Sequence, residues 1–214
     1  MINDFGKGME KEGTKSGVKI GAQIEVGDHN WKAHPHWIIR KYDTPDDSDG
    51  SKYGNLTDAD IQALGLKPIE VLEFDGNLLL NDGINNILIP GLIGGSPTPI
   101  NATDGCIGIG DSATAAAATQ TALQAATNHL WVIVTATTGS GTNQQLVLAA
   151  TFSTAQANWV WNEIMCGSTT TPGSLPANAT TPPATAHVLN RLVVGMGTKV
   201  STATWTVTLT ITFS

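Results

Sequence analysis

Thr204-Trp205-Thr206-Val207-Thr208-Leu209-Thr210-Ile211-Thr212-Phe213 alternates threonine with an apolar residue for ten positions without a break. A helix would scatter those apolar side chains around its circumference. A strand puts Trp205, Val207, Leu209, Ile211 and Phe213 on one face and the five threonines on the other. β-branched threonine fits a pleated backbone and its hydroxyl suits water, so the spacing predicts a strand over 204–213 with a core face and a wet face. At about 3.3 Å per residue it would be roughly 33 Å long, long for a strand of a globular domain.

Working outward, further strands are expected at Leu130 to Ala136, Gln145 to Phe152, Trp159 to Ile164 and Val188 to Val194, with a weaker one at Ala102 to Ile109. The Gly/Ser/Thr run at 138–143 reads as hairpin chemistry, and 167–183 as a long exposed loop. Upstream, Thr57 as N-cap, Asp60 at N3, the Leu56/Ile61 staple and Gly65 as stop predict a short helix over 58–64. A strand from Ile69 to Phe74 follows. Leu80, Ile84, Ile87 and Leu88 then share one helical face, predicting a helix near 78–89 that Pro90 ends and that covers one end or edge of the sheets. Hairpin spacing without alternating helices gives a mainly β fold: an antiparallel β-sandwich, jelly-roll or immunoglobulin-like, with one or two short helices.

The charges are unevenly distributed. Nine of the eleven basic and fourteen of the eighteen acidic residues lie in 1–75, leaving six charged residues for the next 139. Residues 69–214 are therefore read as a sandwich domain wetted by Thr, Ser, Asn and Gln and suited to close protein contact; 56–68 as a short helix and linker; and 1–55 as an extended N-terminal arm. The arm's apolar islands, Val18 to Ile24 and Trp31 to Ile39, are too short to form a core and should dock on this chain's domain or on a neighbouring subunit. A net charge of -7 with scattered lysines and arginines argues against direct nucleic-acid binding. No apolar run approaches a membrane span and no leader pattern is visible, so synthesis in a cytoplasm is expected. A chain of 214 residues can bury a core without cross-links, and Cys106 and Cys166, lacking any metal or redox spacing, read as small buried apolar residues.

Few residues invite a chemical reading. His29, His34 and His36 are close in sequence, but no carboxylate or cysteine stands at a ligand spacing beside them, so solvated or interface histidines are expected and no metal. Gly108-Ile109-Gly110-Asp111-Ser112 lacks the G-x-S-x-G order of a nucleophile elbow and the Gly-Lys-Ser/Thr of a phosphate loop; it reads as a strand end and turn with Asp111 capping backbone. Glu163 is a rare acid in the β region, with Asp111 the nearest in sequence. A carboxylate pair is what glycoside cleavage needs, whereas a lone Glu163 is expected to bind a neighbouring loop or subunit. Trp131, Trp159 and Trp161 could stack on a sugar, although core packing explains them more simply.

Gly76-Asn77-Leu78-Leu79-Leu80-Asn81-Asp82-Gly83-Ile84, Ile107-Gly108-Ile109-Gly110-Asp111-Ser112, Ala150-Thr151-Phe152, Ala157-Asn158-Trp159, Trp161-Asn162-Glu163, Leu189-Asn190-Arg191 and the threonine-rich last strand, in this order, resemble a family of tailed-bacteriophage virion proteins over roughly residues 69–214. The resemblance implies a non-enzymatic structural component of the virion without cofactor. The leading expectation is a capsid decoration or cement protein on the capsid surface. Its partners would be the major capsid protein and copies of itself, in a homodimer or homotrimer, and it would dock through Trp31, Trp37, Ile38 and Ile39 of the arm. A tail, baseplate or fibre subunit, with 167–183 facing the host, is the alternative; a carbohydrate-binding sandwich is the second.

Overall fold

The threonine-lined strand is the middle member of a five-stranded antiparallel sheet. The computed structural model describes residues 33–43, 58–97, 99–134, 136–140, 144–169 and 187–214. One sheet contains β1 (Ala33–Asp43), β2 (Glu70–Asp75), β6 (Ala136–Ser140), β7 (Gln145–Phe152) and β10 (Ala203–Phe213), in the order β2-β1-β10-β7-β6. The other contains β3 (Leu78–Leu79), β4 (Gly105–Gly110), β5 (His129–Ile133), β8 (Val160–Ser168) and β9 (His187–Thr198), in the order β3-β9-β8-β4-β5. Every pairing among the described strands is antiparallel, and the first and last of them lie side by side. The expected mainly β sandwich is the observed fold.

The inner faces meet in one core. Trp37 and Ile39 of β1, Ile107 and Ile109 of β4, Leu148 and Phe152 of β7, Trp161 and Ile164 of β8, and Val207, Leu209 and Ile211 of β10 are all buried in it. Trp161 is its hub, edge-on to Phe152 at 4.8 Å and to Trp205 at 4.6 Å. The second sheet is buried on its outer face too, where Leu80, Cys106, Leu123, Trp131, Met165 and Val188 form a separate cluster. That double burial explains why all six residues of β4 are inaccessible. Cys106 faces the outer cluster and Cys166 the inner core, both as free, buried thiols whose pKa burial raises, to about 12 for Cys106.

Several expectations are corrected. Residues 33–43, assigned to the arm, are a strand between β2 and β10, and the compact unit begins at Trp31 rather than 69. Alternation is present there, with Pro35, Trp37 and Ile39 inward and His34, His36, Ile38 and Arg40 outward, but a proline obscures it. Pro35 is tolerated because its missing amide faces past the end of β2, where Gly76 donates its own amide to the Pro35 carbonyl at 2.9 Å. The helix α1 (Asp58–Ala63) forms as expected, and Tyr42 of β1 packs with its Ile61 and with Leu66. Tyr42 stands opposite Thr204 on the outer face, so the wet threonine face is only partly wet. Thr204 and Thr206 are fully buried; Thr208, Thr210 and Thr212 are half-buried.

The second helix starts at Asn81, after the short β3, and runs through Pro90 to Leu92. Its middle, Ile84–Leu88, is π-helical, and this wider turn sits just before a proline that lacks an amide and would crowd the preceding turn of a regular helix. Gly83 lies against Leu189 of β9, where a Cβ would come within 2.5 Å of backbone, and Ile87 and Leu88 reach the main core. β6 was not foreseen, because Ala136-Thr137-Thr138-Gly139-Ser140 has no apolar period; it is an edge strand on β7.

Candidate functional site

The largest concentration of polar chemistry among the described residues lies beneath the irregular segment between β4 and β5. Glu163 of β8 and Arg191 of β9 are both fully buried, with Arg191 Nη2 2.7 Å and Nε 2.9 Å from the same carboxylate oxygen, Oε2. The other oxygen, Oε1, accepts the backbone amides of Ala125 at 2.7 Å and Gln124 at 3.0 Å. Arg191 Nη1 continues to Gln120 Oε1 at 3.0 Å, which also takes the Ala117 amide at 2.9 Å. Asn162 donates to the Asp111 carbonyl at 2.9 Å, and Asn128 to the Asp111 carboxylate at 2.7 Å. The 111–128 segment is thus fastened to the sheet by hydrogen bonds at residues 111, 120, 124 and 125, and is braced within itself by the Ala117–Gln120 and Asn128–Asp111 bonds. A charged pair inside a protein persists only when its remaining lone pairs and protons are met in this way.

The glycines of the 108–112 block serve this packing. Gly108 stands opposite Trp131, and a Cβ there would lie 2.5 Å from the indole; at Gly110 it would collide with the Glu163 carboxylate. Asp111, expected to cap local backbone, reaches across to Asn128 instead. Glu163 binds a neighbouring loop, and both of its oxygens are occupied inside the protein, so it offers no second carboxylate for glycoside cleavage.

A second polar centre joins the 81–92 helix to β9. Asp82 Oδ2 accepts the Val188 amide at 2.7 Å, while its Oδ1 is 3.1 Å from His187 Nδ1 and 2.8 Å from Asn86 Nδ2. A third is Lys199, only 1% exposed, whose ammonium group donates to the Ser153 carbonyl at 2.6 Å and Asn158 Oδ1 at 2.9 Å. It clasps a turn in which Ala157 has a positive φ of 55° and accepts the Trp161 indole N–H at 2.9 Å.

Burial lowers the Lys199 pKa from 10.5 to about 8. Below pH 8 the amine is charged in folded and unfolded chains alike, and the cost of burying that charge is present in full. Between about 8 and 10.5 the folded protein holds fewer protons than the unfolded chain, so this group makes stability rise with pH across the window. Denaturant unfolding of the wild type and Lys199→Met across that range is expected to show the wild type gaining on the variant; a pH-independent difference would contradict the assignment.

The other predicted site residues are dispersed. Trp37 and Ile39 are fully buried in the core and cannot serve as docking contacts; Ile38 is half-buried on the outer face, and Trp31 lies outside the described residues. His34 is exposed with Nε2 3.1 Å from Ser214 Oγ, His36 Nδ1 is 2.6 Å from Asp75, and His29 lies outside the described residues. Among the described residues no group of three or more His, Cys, Asp or Glu is placed to hold a metal ion. Trp131 and Trp161 are core side chains and form no sugar platform; Trp159 is half-buried. Of the expected 167–183 loop, 167 and 168 end β8 and residues from 170 onward lie outside the described residues.

Fold and polar centres define a β-sandwich in which the Asp82, Asp111, Glu163, Arg191 and Lys199 side chains fasten its own segments together. No family model, curated protein or solved structure matches this chain.

Proposed function

We propose that this protein is a non-enzymatic structural component of a bacteriophage virion, acting as a capsid decoration or cement protein that contacts the major capsid protein and further copies of itself. The observation that supports it most is the surface charge. Residues 76–214 contain six charged side chains, and none is exposed: Glu163, Arg191 and Lys199 are buried, and Asp82, Asp104 and Asp111 are half-buried. A surface of hydroxyls, amides and backbone loses less on desolvation than a charged one and does not repel its neighbours. On a lattice that repeats the site many times, modest contacts of this kind accumulate into reinforcement of the shell.

Quantitative mass spectrometry of purified virions tests the reading. A copy number approaching that of the major capsid protein is expected. A few dozen copies would overturn the cement assignment in favour of a tail, baseplate or fibre subunit.

A further inference from the structure

The first sheet ends on an open strand. Strand β2 pairs with β1 on one side and with no other described strand. The bond from the Gly76 amide to the Pro35 carbonyl sets the phase of the β1–β2 ladder, in which His36 faces Asp75 and Ile38 faces Glu73. Backbone groups of Leu72 and Phe74 therefore point to β1. Those of Val71, Glu73 and Asp75 point away from it, and no described residue bonds to them.

The two faces of this edge differ in chemistry. Leu72 and Phe74 are partly buried at the rim of the core, so a strand laid beside β2 would cover more of both. On the other face Val71 is 44% exposed, and the Glu73 and Asp75 carboxylates are 61% and 89% exposed. Glu70 is held by Lys41 at 2.7 Å, whereas Glu73 and Asp75 share one neighbour, His36, at 3.8 and 2.6 Å. A second copy of β2 would bring three more carboxylates to the seam in any register, and like charges across a strand pair repel. An extended segment with lysine or arginine at alternate positions and apolar residues between them fits instead. It sets cations opposite Glu73 and Asp75 and apolar side chains opposite Leu72 and Phe74, and because side chains alternate face at every residue, one register meets both demands.

We propose that β2 is a docking edge for an extended basic strand of another protein, which adds to the first sheet as a sixth strand. Main-chain hydrogen bonds to residues 71, 73 and 75 supply affinity, and the alternating cations and apolar side chains supply register and selectivity. This surface lies outside the charge-poor stretch of 76–214 and selects its partner by charge.

The test is an NMR titration of the isotope-labelled full-length chain with a capped peptide in which lysine and valine alternate, and with a second in which glutamate replaces lysine. No virion is present, so this result and the copy number stand or fall separately. The lysine peptide is expected to shift the β2 amides and to slow hydrogen exchange at Val71, Glu73 and Asp75, while Leu72 and Phe74, already in the ladder, keep their rates. The glutamate peptide should do neither. Reversing the outward charges with Glu73→Lys and Asp75→Lys together is expected to weaken binding of the lysine peptide about tenfold and to strengthen that of the glutamate one. Both side chains are exposed, so this variant keeps the fold. Glu73→Pro removes one outward amide and should abolish binding; if it does not fold, the charge reversal decides. Slow exchange at the outward amides before any peptide is added would show the edge already filled by this chain or its copy. That result, an equal response to the two peptides, or no response at β2 would overturn the proposal.

Discussion

Replacing Arg191 by Met is expected to destabilise the protein by about 3–5 kcal/mol, the usual cost of stranding one member of a buried ion pair. Arg191 supplies both hydrogen bonds to Glu163 Oε2 from side-chain donors, and both residues are fully buried. The variant leaves an uncompensated carboxylate between two sheet strands and the 111–128 segment. Adding Glu163→Gln should recover part of the loss, since the carboxamide oxygen can still accept the Ala125 amide while the buried charge is gone. Denaturant midpoints of the two single variants and the double variant form a cycle that measures the coupling. A loss below about 1 kcal/mol for Arg191→Met would mean that the segment is held by its other contacts.

Trp37→Ala is expected to cost about 3–5 kcal/mol, as truncation of a large core aromatic does. Trp37 is fully buried on β1, opposite Leu209 of β10 and Phe74 of β2. A docking residue on an arm would behave differently: its removal would weaken partner binding and leave unfolding unchanged. Equilibrium unfolding of the isolated protein separates the two roles, and an unaltered midpoint would contradict the place of Trp37 in the core.

The two cases show what could be read from the sequence and what could not. Strand β10 was legible because its period of two never lapses, and β7 because Gln145 to Phe152 is rich in β-branched and aliphatic residues between turn signals. Strand β1 was hidden by Pro35, by the inward Lys41, which lies 4.4 Å from the Trp205 ring, and by its place in the charged part of the chain. Composition marks a boundary near residue 75, but the fold crosses it. Glu163 stands out in the sequence by its rarity, which points to a neighbouring loop or subunit as its partner, and the loop is where it binds. Arg191, Gln120 and Lys199 were not foreseen in these roles, because nothing in local spacing announces that residues 28 or more positions apart will meet. The rarity of charge was the available signal: a lone Arg or Lys in a neutral stretch is a candidate interior partner for a lone acid or a buried carbonyl.

The absence of exposed charge from residue 76 onward also bears on ionic strength. Counter-ions screen interactions between exposed charges over a length of about 10 Å at 0.1 M salt, and have little to screen where such charges are missing. Contacts made through residues 76–214 should therefore keep their strength between dilute and concentrated salt. Those made through the first 75 residues, with nine basic and fourteen acidic side chains, should respond to it. Salt thus divides the molecule into a responsive part and an indifferent one, and the dependence of any association on salt reports which part is engaged.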